Sequence, residues 1–85
     1  MEIRAESTPN PNAIKFTSVN ALFENRISAK KGESIDHPLA SQIIKLEGVD
    51  NVFGFGDFLT VNKVSDVSWE DLLPKVEAIF KNYQG

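Results

Sequence analysis

Hydrophobic and polar residues alternate along the first third of the chain. In residues 2–7, Ile3 and Ala5 alternate with charged residues, and a second alternating run covers residues 13–19. A period of two is typical of half-buried β-strands. The pattern predicts two strands that pair antiparallel, followed by a third strand over residues 22–28 at an edge of the sheet.

Two later segments have helical spacing instead. Apolar residues recur every three or four positions over residues 39–46, which is typical of a helix packed on a sheet. Pro38 suits the first turn of this helix, and Gly48 is expected to end it in a left-handed conformation. A second helix is predicted after Ser68, with Pro74 expected to kink it or to tighten its first turn.

Between the two predicted helices, residues 49–55 and 58–64 are rich in β-forming residues on either side of Gly56 and Asp57, which indicates a hairpin. Gly54 indicates a bulge or a close backbone approach. The order of elements is β-β-(β)-α-β-β-α. It predicts an α+β fold, a two-layer sandwich of a mainly antiparallel sheet with two helices on one face, as a single domain over residues 1–85.

Charge and composition narrow the functional classes. The chain has 85 residues and a net charge of −3, from 12 acidic and 9 basic residues. The basic residues are scattered, so no nucleic-acid partner is expected. The absence of cysteine excludes disulfides, thiol catalysis and thiolate metal sites. No apolar run approaches the roughly 20 residues that span a bilayer, and the first residues do not resemble a signal peptide. We therefore expect a cytoplasmic protein without membrane association.

No set of residues indicates catalysis. His37 is the only histidine and has no ligand partner three or four positions later on its helix. Glu70 and Asp71 stand where carboxylates complement the dipole of the second helix. No serine occupies a nucleophile motif, and there is no second histidine to activate one. The chain is predicted not to be an enzyme and to have no metal site.

The aromatic residues near the hairpin have two interpretations. Phe53, Phe55 and Phe58 could form an exposed patch that binds a partner, or they could belong to the core. The core is the favoured interpretation, with Phe55 as the exception because it directly precedes the turn. Trp69 is either a half-buried anchor or an interface residue, and the sequence does not separate these alternatives.

The segment TPNPN, Thr8 to Asn12, forms a stiff polar connection between the first two strands. Each proline fixes its own φ and drives the preceding residue toward extended geometry. Such a preorganised loop would bind a partner at low entropic cost. Alternatively, its asparagine side chains satisfy nearby backbone groups in a structural turn. Both interpretations remain open at the level of sequence.

Three stretches together resemble a known family: TPNPNAIKF, then HPLASQIIKLEGVDNVFGFGDFLTVNK, then SWEDLLPKVEAIF. They are similar to the N-terminal domain of the Nfu (NifU-like) iron–sulfur scaffold proteins over essentially the full chain. One departure is visible, because Gly54 precedes Phe55 where family members often have an aromatic residue followed by glycine. The departure concerns the local shape of the hairpin.

In that family this domain precedes a second domain whose Cys-x-x-Cys motif binds the cluster, and those cysteines have no counterpart here. The resemblance therefore implies a stand-alone domain that binds no cofactor by itself and meets an iron–sulfur cluster only through a partner. It implies a monomeric, non-catalytic interaction module for an iron–sulfur assembly factor or a client protein. We expect the TPNPN loop and the neighbouring hairpin to bind that partner.

The predicted partner-binding residues are Thr8, Pro9, Asn10, Pro11, Asn12, Lys15, Arg26, Phe55, Asp57 and Phe58. An alternative function is the binding of a peptide, phosphopeptide or anion by Lys15, Arg26 and the Thr8 hydroxyl, which requires these groups to converge on one face. A further alternative is direct binding of iron by carboxylates.

Overall fold

The computed structural model describes residues 2–83, which form five β-strands and two α-helices. In chain order the elements are β1 (Ile3–Ser7), β2 (Ala13–Ser18), β3 (Phe23–Lys30), α1 (Pro38–Ile44), β4 (Val49–Gly56), β5 (Phe58–Lys63) and α2 (Trp69–Asn82). The order agrees with the prediction, and the third strand is present and extends to Lys30.

The five strands form one antiparallel sheet in the order β1-β2-β5-β4-β3. β1 pairs with β2 from Ile3 opposite Ser18 to Ser7 opposite Ile14, which confirms the predicted antiparallel pair across the proline loop. β5 occupies the centre, between β2 and β4. β3 lies at one edge, as predicted, and β1 lies at the other.

The two helices cover one face of the sheet and enclose the core. Phe16 of β2 and Phe80 of α2 are fully buried, and their rings stack with centroids 5.3 Å apart. Such aromatic pairs contribute about 0.5–1.5 kcal/mol beyond their buried area. The other fully buried large side chains are Leu39, Ile43, Val49, Val52, Leu59, Val61, Leu72 and Val76.

β1 is covered less than its alternation suggests. Ile3 is half-buried against the core, but Ala5 is exposed. The expectation that Ala5 shares a half-buried side with Ile3 is therefore wrong. The reason is topological: β1 is the outermost strand, beyond the part of the sheet that the helices cover.

The first helix is shorter than predicted. His37 is its N-terminal cap residue, Pro38 begins it, and it ends at Ile44. The carbonyl oxygens of Ile44 and Leu46 accept hydrogen bonds from the Lys31 ammonium group, at 2.7 and 2.5 Å. A charged donor at this position satisfies carbonyls that a helix end leaves without partners.

Two glycines behave as the sequence indicates. Gly48 has a φ of +100° in the turn before β4, so its left-handed conformation is confirmed although the helix ends four residues earlier. A Cβ on Gly54 would lie 2.6 Å from the ring of Phe23 and 3.0 Å from Leu59. Of the two possibilities predicted at Gly54, the close approach is therefore present. The register irregularities of β4 lie elsewhere, between Val49 and Asn51 and opposite the segment between Phe23 and Ile27.

Candidate protein-docking surface

The TPNPN loop is organised by its own polar side chains. The Thr8 hydroxyl accepts the Asn10 N–H at 3.1 Å and lies 3.1 Å from the Ala13 carbonyl oxygen, to which it can donate. The Asn10 side-chain oxygen accepts the Asn12 N–H at 2.9 Å, and the Ala13 N–H closes the turn on the Asn10 carbonyl at 3.0 Å. This is the geometry of an asparagine turn, so the oxygens of Thr8 and Asn10 serve the fold.

Further hydrogen bonds attach the loop to distant parts of the chain. The Lys63 ammonium group donates to the Asn12 side-chain oxygen at 3.0 Å, and the Lys63 N–H donates to the Asn12 carbonyl at 2.8 Å. The indole N–H of Trp69 donates to the Pro11 carbonyl at 3.1 Å. Trp69 is half-buried and packs against the core. It is therefore an anchor between α2 and the loop.

The β4–β5 hairpin lies at the opposite end of the sheet from the TPNPN loop. The loop precedes the first residue of β2, whereas the Asp57 carbonyl at the hairpin accepts the N–H of Ser18, the last residue of β2. A strand of this length spans roughly 20 Å. The expectation of a single site formed by the loop and a neighbouring hairpin is therefore wrong. Because β2 and β5 are antiparallel, the connections that precede them must lie at opposite ends.

The sheet surface that faces away from the helices carries three phenylalanines. Phe53 is 37% exposed, Phe55 is 49% exposed and Phe58 is half-buried. The Phe53 and Phe58 rings are 6.0 Å apart, and Phe55 is the ladder partner of Phe58. We call this surface the open face and these three residues the aromatic cluster.

The core interpretation is wrong for Phe53 and Phe58, and the exposure of Phe55 is confirmed. Val52 and Gly54 point into the core, so alternation turns Phe53 outward. Leu59 is likewise fully buried, which turns Phe58 to the open face. Sequence reasoning did not include Phe53 in the site. The signal that could have found it is its spacing of two from Phe55 within one strand.

Lys15 joins the aromatic cluster from the next strand. Its ammonium nitrogen lies 4.7 Å from the centroid of the Phe58 ring, within cation–π distance. The structure therefore brings together three predicted site residues, Lys15, Phe55 and Phe58. Asp57 is exposed at the adjoining turn. Arg26 is exposed in β3, in the irregular segment across from Phe55.

The groups required for the alternative anion site do not converge. Lys15 lies on β2 and Arg26 on β3, with β5 and β4 between them. Three strand spacings amount to about 14 Å. The Thr8 hydroxyl lies in the loop before β2 and is engaged there. The requirement that Lys15, Arg26 and Thr8 meet on one face is therefore not fulfilled.

No metal-binding cluster of three or more histidine, aspartate or glutamate residues occurs within residues 2–83. His37 contacts the protein instead, with its Nε2 3.1 Å from the Leu22 carbonyl oxygen and its ring centroid 4.6 Å from that of Phe23. Direct iron binding by carboxylates therefore has no ligand set in the described part of the chain. Neither helix of that part has the length and apolar character needed to cross a membrane.

The fold and the surface define a small α+β domain with helices on one sheet face and an aromatic, lysine-bearing surface on the other. The family model "Scaffold protein Nfu/NifU N terminal" matches residues 3–84. This chain belongs to the Nfu/NifU N-terminal family.

Named relatives and solved structures agree with this assignment. The human protein named "NFU1 iron-sulfur cluster scaffold homolog, mitochondrial" is 34% identical, over 98% of this chain and 34% of its own length. A NifU-like protein of Schizosaccharomyces pombe is 32% identical, over 95% of this chain and 33% of its own length. The crystal structure of Staphylococcus aureus SAV1430 has a TM-score of 0.82 at 35% identity, covering 94% of this chain and 99% of that one.

The chain spans about a third of the length of these curated relatives. A shorter solved relative, the NifU-like protein of Saccharomyces cerevisiae, superposes with a TM-score of 0.78 at 32% identity, over 93% of this chain and 74% of that one. The comparisons thus establish the fold and the association of the family with iron–sulfur scaffolds.

Proposed function

We propose that this chain is a non-catalytic protein-interaction module of iron–sulfur cluster assembly or delivery. It binds an assembly factor or a protein that receives the cluster. Family membership supports the pathway. The absence of cysteine supports the division of labour, because the thiolates that hold a cluster must then come from a partner. In this proposal the chain by itself holds no cofactor.

The exposed aromatic cluster is the observation that carries the proposal. Aromatic residues are enriched at protein interfaces, where they supply a large contact area at a small entropic cost. Phe55 is half exposed beside Phe58, over which Lys15 is positioned. We assign partner binding to this end of the open face, with Asp57 and Arg26 at its margin.

The TPNPN loop has a different role in this proposal. It holds the β1–β2 connection against β5 and α2 through Asn12 and Pro11. Docking through this loop stays a prediction that the same experiment can test. Pro9 is the suitable probe, because it is exposed and its side chain makes no hydrogen bond that a substitution would remove.

The test is an affinity pull-down from native lysate with four variants: wild type, Phe55→Ser, Pro9→Ser and Lys75→Glu. Lys75 is exposed on α2, away from both surfaces, and serves as the control. We expect wild type, Pro9→Ser and Lys75→Glu to recover iron–sulfur assembly or cluster-receiving proteins, and Phe55→Ser to lose them. Loss through Pro9→Ser alone would assign docking to the loop. Recovery of only unrelated proteins would refute the proposed pathway.

The cellular location and the oligomeric state are part of the same proposal. Relatives from human and Arabidopsis thaliana are named as mitochondrial proteins. The cytoplasmic location of this chain stays a prediction, as does its monomeric state. Fractionation of the native cells and light scattering on the purified chain test these two points.

A further inference from the structure

We infer that the segment bound on the open face is an acidic stretch of a partner protein that carries an apolar side chain. This inference rests on the proposed function, because it takes the open face as the docking surface. It specifies the chemistry of the partner, which family membership leaves open. The argument depends on how charges and rings are arranged across the sheet.

The register places the residues of the open face in two adjacent rows. In the first row Arg4 lies opposite Thr17, Thr17 opposite Phe58, and Phe58 opposite Phe55. In the second row the order across the sheet is Glu6, Lys15, Thr60, Phe53 and Ser28. The aromatic cluster therefore occupies β5 and β4, and cations stand beside it on β1 and β2.

Cations predominate at the regular outward positions of the strands. Arg4, Lys15 and Lys30 occupy such positions, against a single carboxylate, Glu6. The Glu6 carboxylate accepts a hydrogen bond from the Thr17 hydroxyl at 3.2 Å. This excess of positive charge belongs to a chain whose net charge is −3, so the open face differs in sign from the molecule as a whole.

Other charges at the margin do not change this balance. The irregular segment of β3 carries Glu24 and Arg26, whose charges cancel. Asp57 lies in the turn beyond the end of the strands, not between the rings and the cations. The Lys15 ammonium group lies over the Phe58 ring, so a bound carboxylate could reach this cation while an adjacent apolar side chain contacts the rings.

A partner segment with both groups satisfies this surface. Its apolar side chain would cover the Phe53 and Phe55 rings, which are more than one-third exposed. Its carboxylates would meet Lys15 and Arg4 at the rim, where charge complementarity accelerates encounter and selects the partner. A basic segment would place like charges beside Lys15 and is disfavoured for that reason.

The test uses the full chain, labelled with 15N, and a synthetic peptide of alternating glutamate and phenylalanine. Two control peptides replace every glutamate by lysine or every phenylalanine by alanine. We expect the acidic aromatic peptide to shift amide signals of β2, β4 and β5, and both control peptides to bind at least about tenfold more weakly. Raising the salt concentration should weaken the binding of the acidic peptide.

Matched charge reversals place the interaction on the surface. Lys15→Glu should weaken binding of the acidic peptide about tenfold, whereas Lys75→Glu, the same change on α2, should leave it unchanged. Phe55→Ser should also weaken it. Each variant is first compared with wild type by its amide spectrum, so that a loss of binding is separated from a loss of structure.

Four results would overturn the inference: tighter binding of the lysine peptide, no binding of the acidic peptide, shifts confined to another surface, or preferential binding of a single-stranded oligonucleotide on the same rings. Self-association of the chain through these rings without peptide would assign the open face to a second copy. If the pull-down recovers iron–sulfur proteins through Phe55 but the acidic peptide fails, the proposed function stands and only this inference falls.

Discussion

The indole N–H of Trp69 donates a hydrogen bond to the carbonyl oxygen of Pro11, at 3.1 Å, and so links the last helix to the first loop. The two residues are 58 positions apart in the chain. Lys63 holds the same loop from β5 through Asn12. The loop between β1 and β2 is thus a junction of the first strands, the central strand and α2.

Trp69→Phe should lower the free energy of unfolding by about 1 kcal/mol, because it removes one hydrogen bond and keeps most of the aromatic contact. Chemical denaturation followed by circular dichroism measures this, since Trp69 is the only tryptophan and its fluorescence is lost. The Pro9→Ser variant, which alters the loop without removing a side-chain hydrogen bond, provides the comparison. Equal stability of Trp69→Phe and wild type would mean that the bond to Pro11 contributes nothing.

Asn10→Ala should destabilise the chain by about 1 kcal/mol, because the Asn12 N–H loses its acceptor. Asn10→Asp keeps an oxygen at this position and should remain close to wild type. Thermal unfolding of the three proteins under the same conditions measures the difference. A loss of partner binding without any change in stability would instead favour the docking interpretation of the loop.

The order of elements could be predicted from the sequence because each strand and helix has a clear local pattern. The hairpin at Gly56 and Asp57 and the cap at Ser68 are also local features, and the Ser68 hydroxyl accepts the Glu70 N–H at 3.0 Å. The association of β2 with β5 is not local. It joins residues about 45 positions apart, such as Thr17 and Phe58, and no spacing within either strand reveals it.

That missing pairing explains why the predicted site is divided between two ends of the sheet. Once β2 and β5 are known to be antiparallel, the TPNPN loop and the hairpin must lie at opposite ends. The side on which Phe53 lies was also hidden, because the run from Val49 to Phe55 contains a bulge that shifts the alternation. Val49 and Val52 are both buried although three positions separate them.

Gly54→Ala should destabilise the chain by about 1–3 kcal/mol, because the new Cβ would lie 2.6 Å from the buried ring of Phe23. Phe23→Leu relieves this overlap while leaving a cavity of its own. The double variant should therefore be more stable than the sum of the two single effects predicts, which a double-mutant cycle by urea denaturation measures. Strict additivity would show that the ring of Phe23 is not the obstacle.

The two faces of the sheet should respond in opposite ways to the loss of a phenyl ring. Phe80→Ala should cost about 3–5 kcal/mol, because the ring of Phe80 is fully buried against Phe16. Phe55→Ser should change the free energy of unfolding by less than about 1 kcal/mol, because half of that side chain is already in water. Urea denaturation of both variants checks this. A large destabilisation by Phe55→Ser would mean that the open face contributes to the fold, and the pull-down would then need a milder change such as Phe55→Leu to separate binding from stability.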